Sequence, residues 1–302
     1  MLSIQNLNKT YPNGIQALRN ISLDISPGIF GLLGPNGAGK SSFMRTLATL
    51  QTADSGSIYL NGIDILNEPL AARQQLGYLP QDFGLYPNVS AEDLLHQLAV
   101  FKGFTHKKQR KTMVTHQLAL VNLYEQRKQK LGTFSGGMRQ RFGIAQALIG
   151  SPQLVIVDEP TAGLDPTERI RFQNILADIS QDRVLMLSTH IVEDVAALCP
   201  NIAILNKGDI VQQGNPMRLV ATLHGQIWRK PVSPSEELNP NWMVLSSQMK
   251  QQQRWLRVWS ETRPSKGFEA TEPTLNDVYF YALLKQPAQE AERTSTAVST
   301  RA

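Results

Sequence analysis

From residue 1 to about residue 80 the chain alternates apolar and polar positions in short runs broken by turn residues. "MLSIQNLNKTY", "ISLDI", "GSIYLNG" and "LGYLPQ" carry this two-residue period, which predicts half-buried strands. One helix interrupts them after Lys40, in "SFMRTLATL". From about Ser90 to Ile149 the period becomes helical: "SAEDLLHQLAVFKG" opens on Ser90 with Asp93 three residues on, a capping signature, and closes on Gly103. This stretch, about 82–150, reads as a helical insertion.

"LVIVDE" and "RVLMLSTH" are continuous apolar runs flanking a helical segment, the pattern of buried parallel strands joined by a crossover helix. Both end in polar residues, and ligands of open α/β sheets bind at the carboxyl ends of strands. After about Pro216 a short helix precedes tryptophan-bearing, strand-like pieces such as "RWLRVWS" and then "EPTLNDVYFYALLK". There Thr274 and Asp277 fit a capping box, while Leu275, Val278, Tyr279, Ala282 and Leu283 share one helix face. The expected organisation is an α/β domain at 1–225, a small α+β accessory domain at 226–285, and a tail at 286–302 that lacks core-forming residues and is expected to be disordered.

Composition adds a few constraints. The 302 residues, 41% of them hydrophobic, can bury a sizeable core. A single cysteine, Cys199, excludes an internal disulfide and points to a reducing compartment. No apolar run approaches the roughly 18 residues that span a bilayer, and the first residues lack the pattern of a signal peptide. A soluble, cytoplasmic chain seated on a membrane partner is therefore expected. The net charge is +5, but the cations are scattered apart from "KKQRK", Lys107 to Lys111, which reads as a solvated helix face. No nucleic-acid partner is expected.

Candidate chemistry is concentrated in three places. "GPNGAGKS", Gly34 to Ser41, lies between the apolar run "GIFGLL" and a helical segment, the context in which a GxxxxGK[ST] loop cradles phosphates. Its glycines let N–H groups face the phosphates, Lys40 reaches the terminal ones, and the Ser41 hydroxyl can bind Mg²⁺. "LVIVDEP" places Asp158 to hold Mg²⁺ and Glu159 to accept a proton from an attacking water. "TFSGGMRQR" puts Ser135, Gly136 and Gly137 at a helix start, a second candidate anion site. A helix cap explains Ser135 but not two successive glycines, each of which disfavours a helix by about 1 kcal/mol.

With these motifs in place, roughly residues 1 to 225 resemble the nucleotide-binding subunit of ATP-binding cassette (ABC) transporters. The likeness rests on the phosphate loop, Gln81 in "YLPQ", "FSGGM", "VDEP" followed by "AGLDP", and His190 in "STH", in the family's order. It implies a P-loop NTPase with a mostly parallel core sheet and an N-terminal antiparallel β subdomain, binding ATP and Mg²⁺. It implies that Tyr11 stacks on adenine, and that the loop Gly34, Pro35, Asn36, Gly37, Ala38, Gly39, Lys40, Ser41 and the adjoining Ser42 hold the phosphates. Gln81 joins the Mg²⁺ shell and senses the membrane partner, Glu159 and Lys40 serve catalysis, and His190 contacts the γ-phosphate.

In this family two cassettes pack head to tail, so Ser135, Gly136 and Gly137 would close over a partner chain's nucleotide, and Asp165 would contact the opposite subunit. Two positions depart from the family's commonest pattern, Phe134 for Leu and Met138 for Gln, which bears on the geometry of closure. "PQDFGLYPNVSAEDLL" and "EPTLNDVYFYAL" resemble segments of the branch that exports drugs, lipids or polysaccharides. The expected function is an ATP-hydrolysing motor driving a separate membrane permease. The alternative is a soluble ABC ATPase acting on ribosomes or nucleic acid. Against it stand the single phosphate loop and the short span from Ser41 to Ser135, too short for a long coiled coil. Substrate choice lies in the membrane chain and is not written in this sequence.

Overall fold

The computed structural model describes residues 1–233, 236 and 238–285; the expected tail, 286–302, lies outside the described residues. The chain divides into two compact units, one of residues 1–200 with 207–209, the other of residues 201–206 with those from 210 onward.

In the first unit, strands β1 (Leu2–Thr10) and β2 (Gln16–Ile25) lead to β3 (Gly28–Leu33) and helix α1 (Lys40–Leu47). Strands β4 (Ser55–Leu60) and β5 (Ile63–Asp64) follow, then helix α2 (Pro69–Gln74) and β6 (Leu76–Leu79). Helices α3 (Ala91–Phe101), α4 (Lys107–Leu120) and α5 (Gly136–Ala147) form the insertion. Strand β7 (Leu154–Asp158), helix α6 (Pro166–Ile179), strand β8 (Val184–Thr189) and helix α7 (Val192–Leu198) complete the unit.

The alternating N-terminal runs make an antiparallel sheet in the order β2-β1-β4-β5. Leu2, Ile4 and Leu7 of β1 are buried, as are Leu18, Ile21, Leu23 and Ile25 of β2. Shifts of register interrupt the β1–β2 pairing, and Asn6 and Asn20 there take the left-handed φ of 49° that asparagine tolerates. The continuous apolar runs instead form a parallel sheet in which β3, β8, β7 and β6 are neighbours in that order. Leu154 to Val157 and Leu185 to Leu187 are buried throughout, as strands covered on both faces must be.

Ser90 caps α3 by accepting from the Asp93 N–H at 3.1 Å, as its spacing predicts. The "KKQRK" cations lie on α4, where Lys107, Lys108 and Lys111 are exposed and Arg110 donates to the Phe104 and Thr105 carbonyls. Helix α5 lies close to β6 because Gly143 faces it: a Cβ there would come within 2.5 Å of Leu79 Cδ1. Several short elements escape the sequence pattern. Helix α2 has six residues and a proline in its first turn, too short for a helical period to show.

The second unit contains β9 (Asn201–Asn206), β10 (Asp209–Gly214), α8 (Pro216–Ala221), β11 (Ile227–Val232), β12 (Met243–Lys250), β13 (Gln253–Trp259), β14 (Glu269–Ala270) and a helix at 275–285. The last four strands form an antiparallel sheet in the order β12-β13-β11-β14 around Val232, Leu256, Val258 and Phe268. Thr274 and Asp277 do associate at the head of the final helix, but not as a reciprocal capping box. The Asp277 carboxylate accepts from the Thr274 N–H and hydroxyl, both at 2.7 Å, and from Arg257 of β13 at 2.6 and 2.8 Å. Among the described residues no helix is long and apolar enough to cross a membrane.

Candidate functional site

The buried strand β3 delivers the loop 34–39 to the start of α1. Gly37 and Gly39 have φ of 80° and 110°, which a side chain would resist, and this curl turns the backbone toward the cleft. No side chain caps α1, so its first N–H groups and positive dipole end are offered to an anion. Lys40 folds back over the loop: Nζ donates to the carbonyls of Gly34 at 2.7 Å and Pro35 at 3.2 Å. Burial lowers the ammonium's proton affinity, and the nearby Glu159 and Asp158 carboxylates partly restore it.

Strands β7 and β8 are parallel neighbours, with Asp158 paired to Ser188 at their carboxyl ends. Glu159 and His190 are the residues that follow. Glu159 takes a left-handed φ of 47°, a conformation that costs a non-glycine residue about 1 kcal/mol or more, and its N–H donates to the Ser188 carbonyl at 2.9 Å. Its Oε2 lies 2.9 Å from His190 Nδ1 and its Oε1 3.6 Å from Lys40 Nζ. Asp158 is buried, and burial together with the Glu159 charge raises its proton affinity against the opposing effects of Ser188, Lys40 and Arg45.

Lys40, Glu159 and His190 line a cleft of about 1030 Å³, while the buried Asp158 is not part of its lining. Pro35, Asn36, Gly37, Gly39, Lys40, Ser41 and Ser42 line it together with Tyr11 and Gln81. Gly34 reaches it through the carbonyl that holds Lys40, and Ala38 is buried with its carbonyl accepting from the Gly208 N–H at 2.9 Å. The Tyr11 hydroxyl is engaged by Ser42 Oγ at 2.9 Å and Gln51 Oε1 at 3.0 Å, so the ring rather than the hydroxyl is presented.

The structure does not bring Ser135, Gly136, Gly137 or Asp165 to this cleft. Ser135 caps α5 by accepting from the Met138 N–H at 3.2 Å, and Asp165 caps α6 by accepting from the Glu168 N–H at 2.9 Å. The two glycines differ. A Cβ at Gly136 would meet nothing within 4 Å, whereas one at Gly137 would strike the Glu168 side chain at 2.3 Å. Glu168 is held there by Arg141 at 3.4 Å and Arg171 at 2.7 Å. Gly137 thus also makes room for the Glu168 side chain of α6, while Gly136 faces open space.

Sequence reasoning missed several neighbours. Gln51 anchors Tyr11 from 40 residues away, Lys207 and Gly208 line the cleft from a turn without a motif, and Asp194 of α7 is fully buried behind it. None belongs to a local pattern that spacing could reveal.

A phosphate loop, a strand-end carboxylate pair and a remote Ser-Gly-Gly helix start recur in known proteins. The ABC transporter family model matches residues 18–162. The chain is similar to the linearmycin resistance ATP-binding protein LnrL of Bacillus subtilis, 36% identical over 227 residues, covering 74% of this chain and 72% of that one. It is similar to the Nod factor export ATP-binding protein I of Cupriavidus metallidurans, 34% identical with 73% of each chain covered. A dimeric ATP-binding cassette solved in a post-hydrolysis state with ADP and Pi superposes with a TM-score of 0.64 at 25% identity, covering 71% of this chain and 98% of that one. Strand order, cleft and relatives agree: the chain belongs to the ABC transporter family as an ATP-binding, ATP-hydrolysing subunit with the P-loop NTPase fold.

Proposed function

We propose that this chain is the motor of an exporter, working as one of two cassettes that close head to tail around two ATP molecules and drive a membrane permease carried on another chain. The observation that carries this reading is the split of the site. Lys40, Glu159 and His190 converge on one cleft, while Ser135 and the outward-facing Gly136 stand elsewhere, so a second chain is needed to cover a nucleotide. Two relatives named for linearmycin resistance and Nod factor export support the export direction. Residues 1–225 are assigned to the cassette, 226–285 to an accessory domain, and the place of action to the cytoplasmic face of the membrane.

The loop Gly34 to Ser42 binds the phosphates through its N–H groups and Lys40, and the Tyr11 ring stacks on the base. Ser41, Gln81 and Asp158 would hold Mg²⁺; they suit a cation shared with phosphate oxygens, because no group of three or more His, Cys, Asp or Glu side chains among the described residues could hold a metal by itself. When bound, Mg²⁺ supplies charge neutralisation at the phosphates. Glu159 accepts the proton of the attacking water, and His190, tied to it, orients toward the terminal phosphate. Ser135, Gly136 and Gly137, with Asp165, complete the partner's site. The cycle does work because ATP favours the closed pair through contacts made only in that state.

Light scattering tests this. Glu159→Gln, which should bind ATP but hydrolyse it slowly, is expected to pass from monomer to dimer on adding Mg-ATP, and Ser135→Arg in the same chain to abolish the shift. A mass unchanged at saturating ATP would overturn closure with a second copy of this chain.

A further inference from the structure

Close in sequence to His190 at the end of β8 lies a further carboxylate, bonded to a residue close in sequence to Glu159 at the end of β7. Asp194 lies on α7, four residues after His190, and has no exposed surface. Its Oδ2 accepts from Thr161 Oγ1 at 2.5 Å, two residues beyond Glu159. Its Oδ1 accepts from Arg169 Nε at 2.7 Å and Gln173 Nε2 at 2.8 Å, both on α6. A carboxylate so deeply buried is costly unless paired, and here a guanidinium, an amide and a hydroxyl together satisfy it.

The segment from Glu159 to Asp165 is tied at its ends, Glu159 by Ser188, His190 and Lys40 and Asp165 by its cap on α6, and between them Thr161 carries the side-chain bond to Asp194. It contains no helix or strand, and its internal backbone bonds, from the Ala162 N–H to the Glu159 carbonyl and from the Leu164 N–H to the Thr161 carbonyl, are 3.4 and 3.2 Å long. Glu159 meanwhile sits in a backbone conformation it would leave if unrestrained. The short bond from Thr161 therefore adds a second tie to the direct Glu159–His190 contact, fixing the middle of this segment to the helix that begins just after His190.

We propose that Asp194 is a positioning residue for ATP hydrolysis, holding Glu159 and His190 in register through Thr161 and α7 and holding the Asp165 end of α6 through Arg169. The inference rests on Glu159 acting as the base. Removing the tie leaves the phosphate loop untouched and displaces the base, so it lowers turnover and spares nucleotide binding.

The test uses the full chain. Thr161→Val keeps the shape and deletes the donor; it is expected to lower kcat ten- to hundredfold, the scale of a base displaced by about 1 Å, with KM for ATP within about twofold. Thr161→Ser is expected to restore kcat, and Asp194→Asn to fall in the same direction as Thr161→Val. Combined with Glu159→Gln, Thr161→Val is expected to cause no further loss, because the group it positions is already gone. Wild-type turnover in Thr161→Val, or its full defect multiplied onto that of Glu159→Gln, overturns the proposal. If Glu159→Gln itself hydrolyses ATP at the wild-type rate, the assignment of the base falls instead.

Discussion

His190 Nδ1 stands 2.9 Å from Glu159 Oε2, across the ends of two strands whose pairing puts Asp158 opposite Ser188. The two oxygens of the Glu159 carboxylate thus face different partners, the imidazole on one side and Lys40 Nζ at 3.6 Å on the other. His190→Ala should lower kcat by about a hundredfold while leaving the affinity for ATP within about threefold, because it removes the partner of the base and none of the phosphate donors. Steady-state hydrolysis alongside equilibrium binding of a fluorescent ATP analogue separates the two; a parallel loss of both would refute the assignment.

The unequal surroundings of the paired glycines give opposite expectations. Gly137→Ala drives a methyl into Glu168 and should lower stability by about 1–3 kcal/mol. Gly136→Ala meets nothing within 4 Å and should leave stability unchanged or slightly raised, yet weaken ATP-driven pairing of the Glu159→Gln chain. Melting curves of the two alanine variants against wild type, and light scattering of Glu159→Gln with and without Gly136→Ala, decide the matter. Equal melting temperatures for the two alanine variants would show that the packing explanation of Gly137 is wrong.

Lys102 provides a pH dependence. Its Nζ donates to the carbonyls of Leu76 and Ile149, and burial lowers its pKa from the usual 10.5 to about 8. Between those values the unfolded chain binds the proton and the folded chain does not, so this residue's contribution to stability rises with pH from about 8 to 10.5 and is lost as pH falls through 8. The full effect is at most on the order of 3 kcal/mol. Denaturant midpoints at pH 7.5 and pH 10 should therefore rise less in Lys102→Met than in wild type; identical slopes would contradict the lowered pKa.

In the second unit, Asp277→Ala leaves the Arg257 guanidinium, whose side chain is 18% exposed, with only the Glu272 carbonyl, and should destabilise the unit by about 3 kcal/mol. All four tryptophans of the chain, Trp228, Trp242, Trp255 and Trp259, lie there, so urea unfolding followed by their fluorescence reads this unit alone. A loss below about 1 kcal/mol would mean the pair is solvated.

Phosphate chemistry is legible in the sequence because it demands fixed residue types at contiguous positions: Gly34 to Ser41 had to sit between a buried strand and a helix, and they do. The two strand periods were equally readable, since alternation marks a sheet with one wet face and continuous apolar runs a sheet covered on both. What stayed hidden depended on contacts between distant positions. Asp277 looks like the partner of Thr274 three residues away, but its carboxylate is also committed to Arg257 twenty residues earlier. Gly137 carries a packing requirement that its motif does not show, because Glu168 occupies the space a side chain would need. Gln51 and Asp194 carry no motif, and only folding shows that one anchors Tyr11 and the other binds Thr161.

The anchoring of Tyr11 also bears on fuel choice. With its hydroxyl committed to Ser42 and Gln51, the residue offers a purine only the face of its ring, and every base has such a face. A stacked surface reads neither the amino group of adenine nor the carbonyl of guanine. Stacked as proposed, the tyrosine by itself does not separate one purine triphosphate from the other, whose phosphate tails are identical.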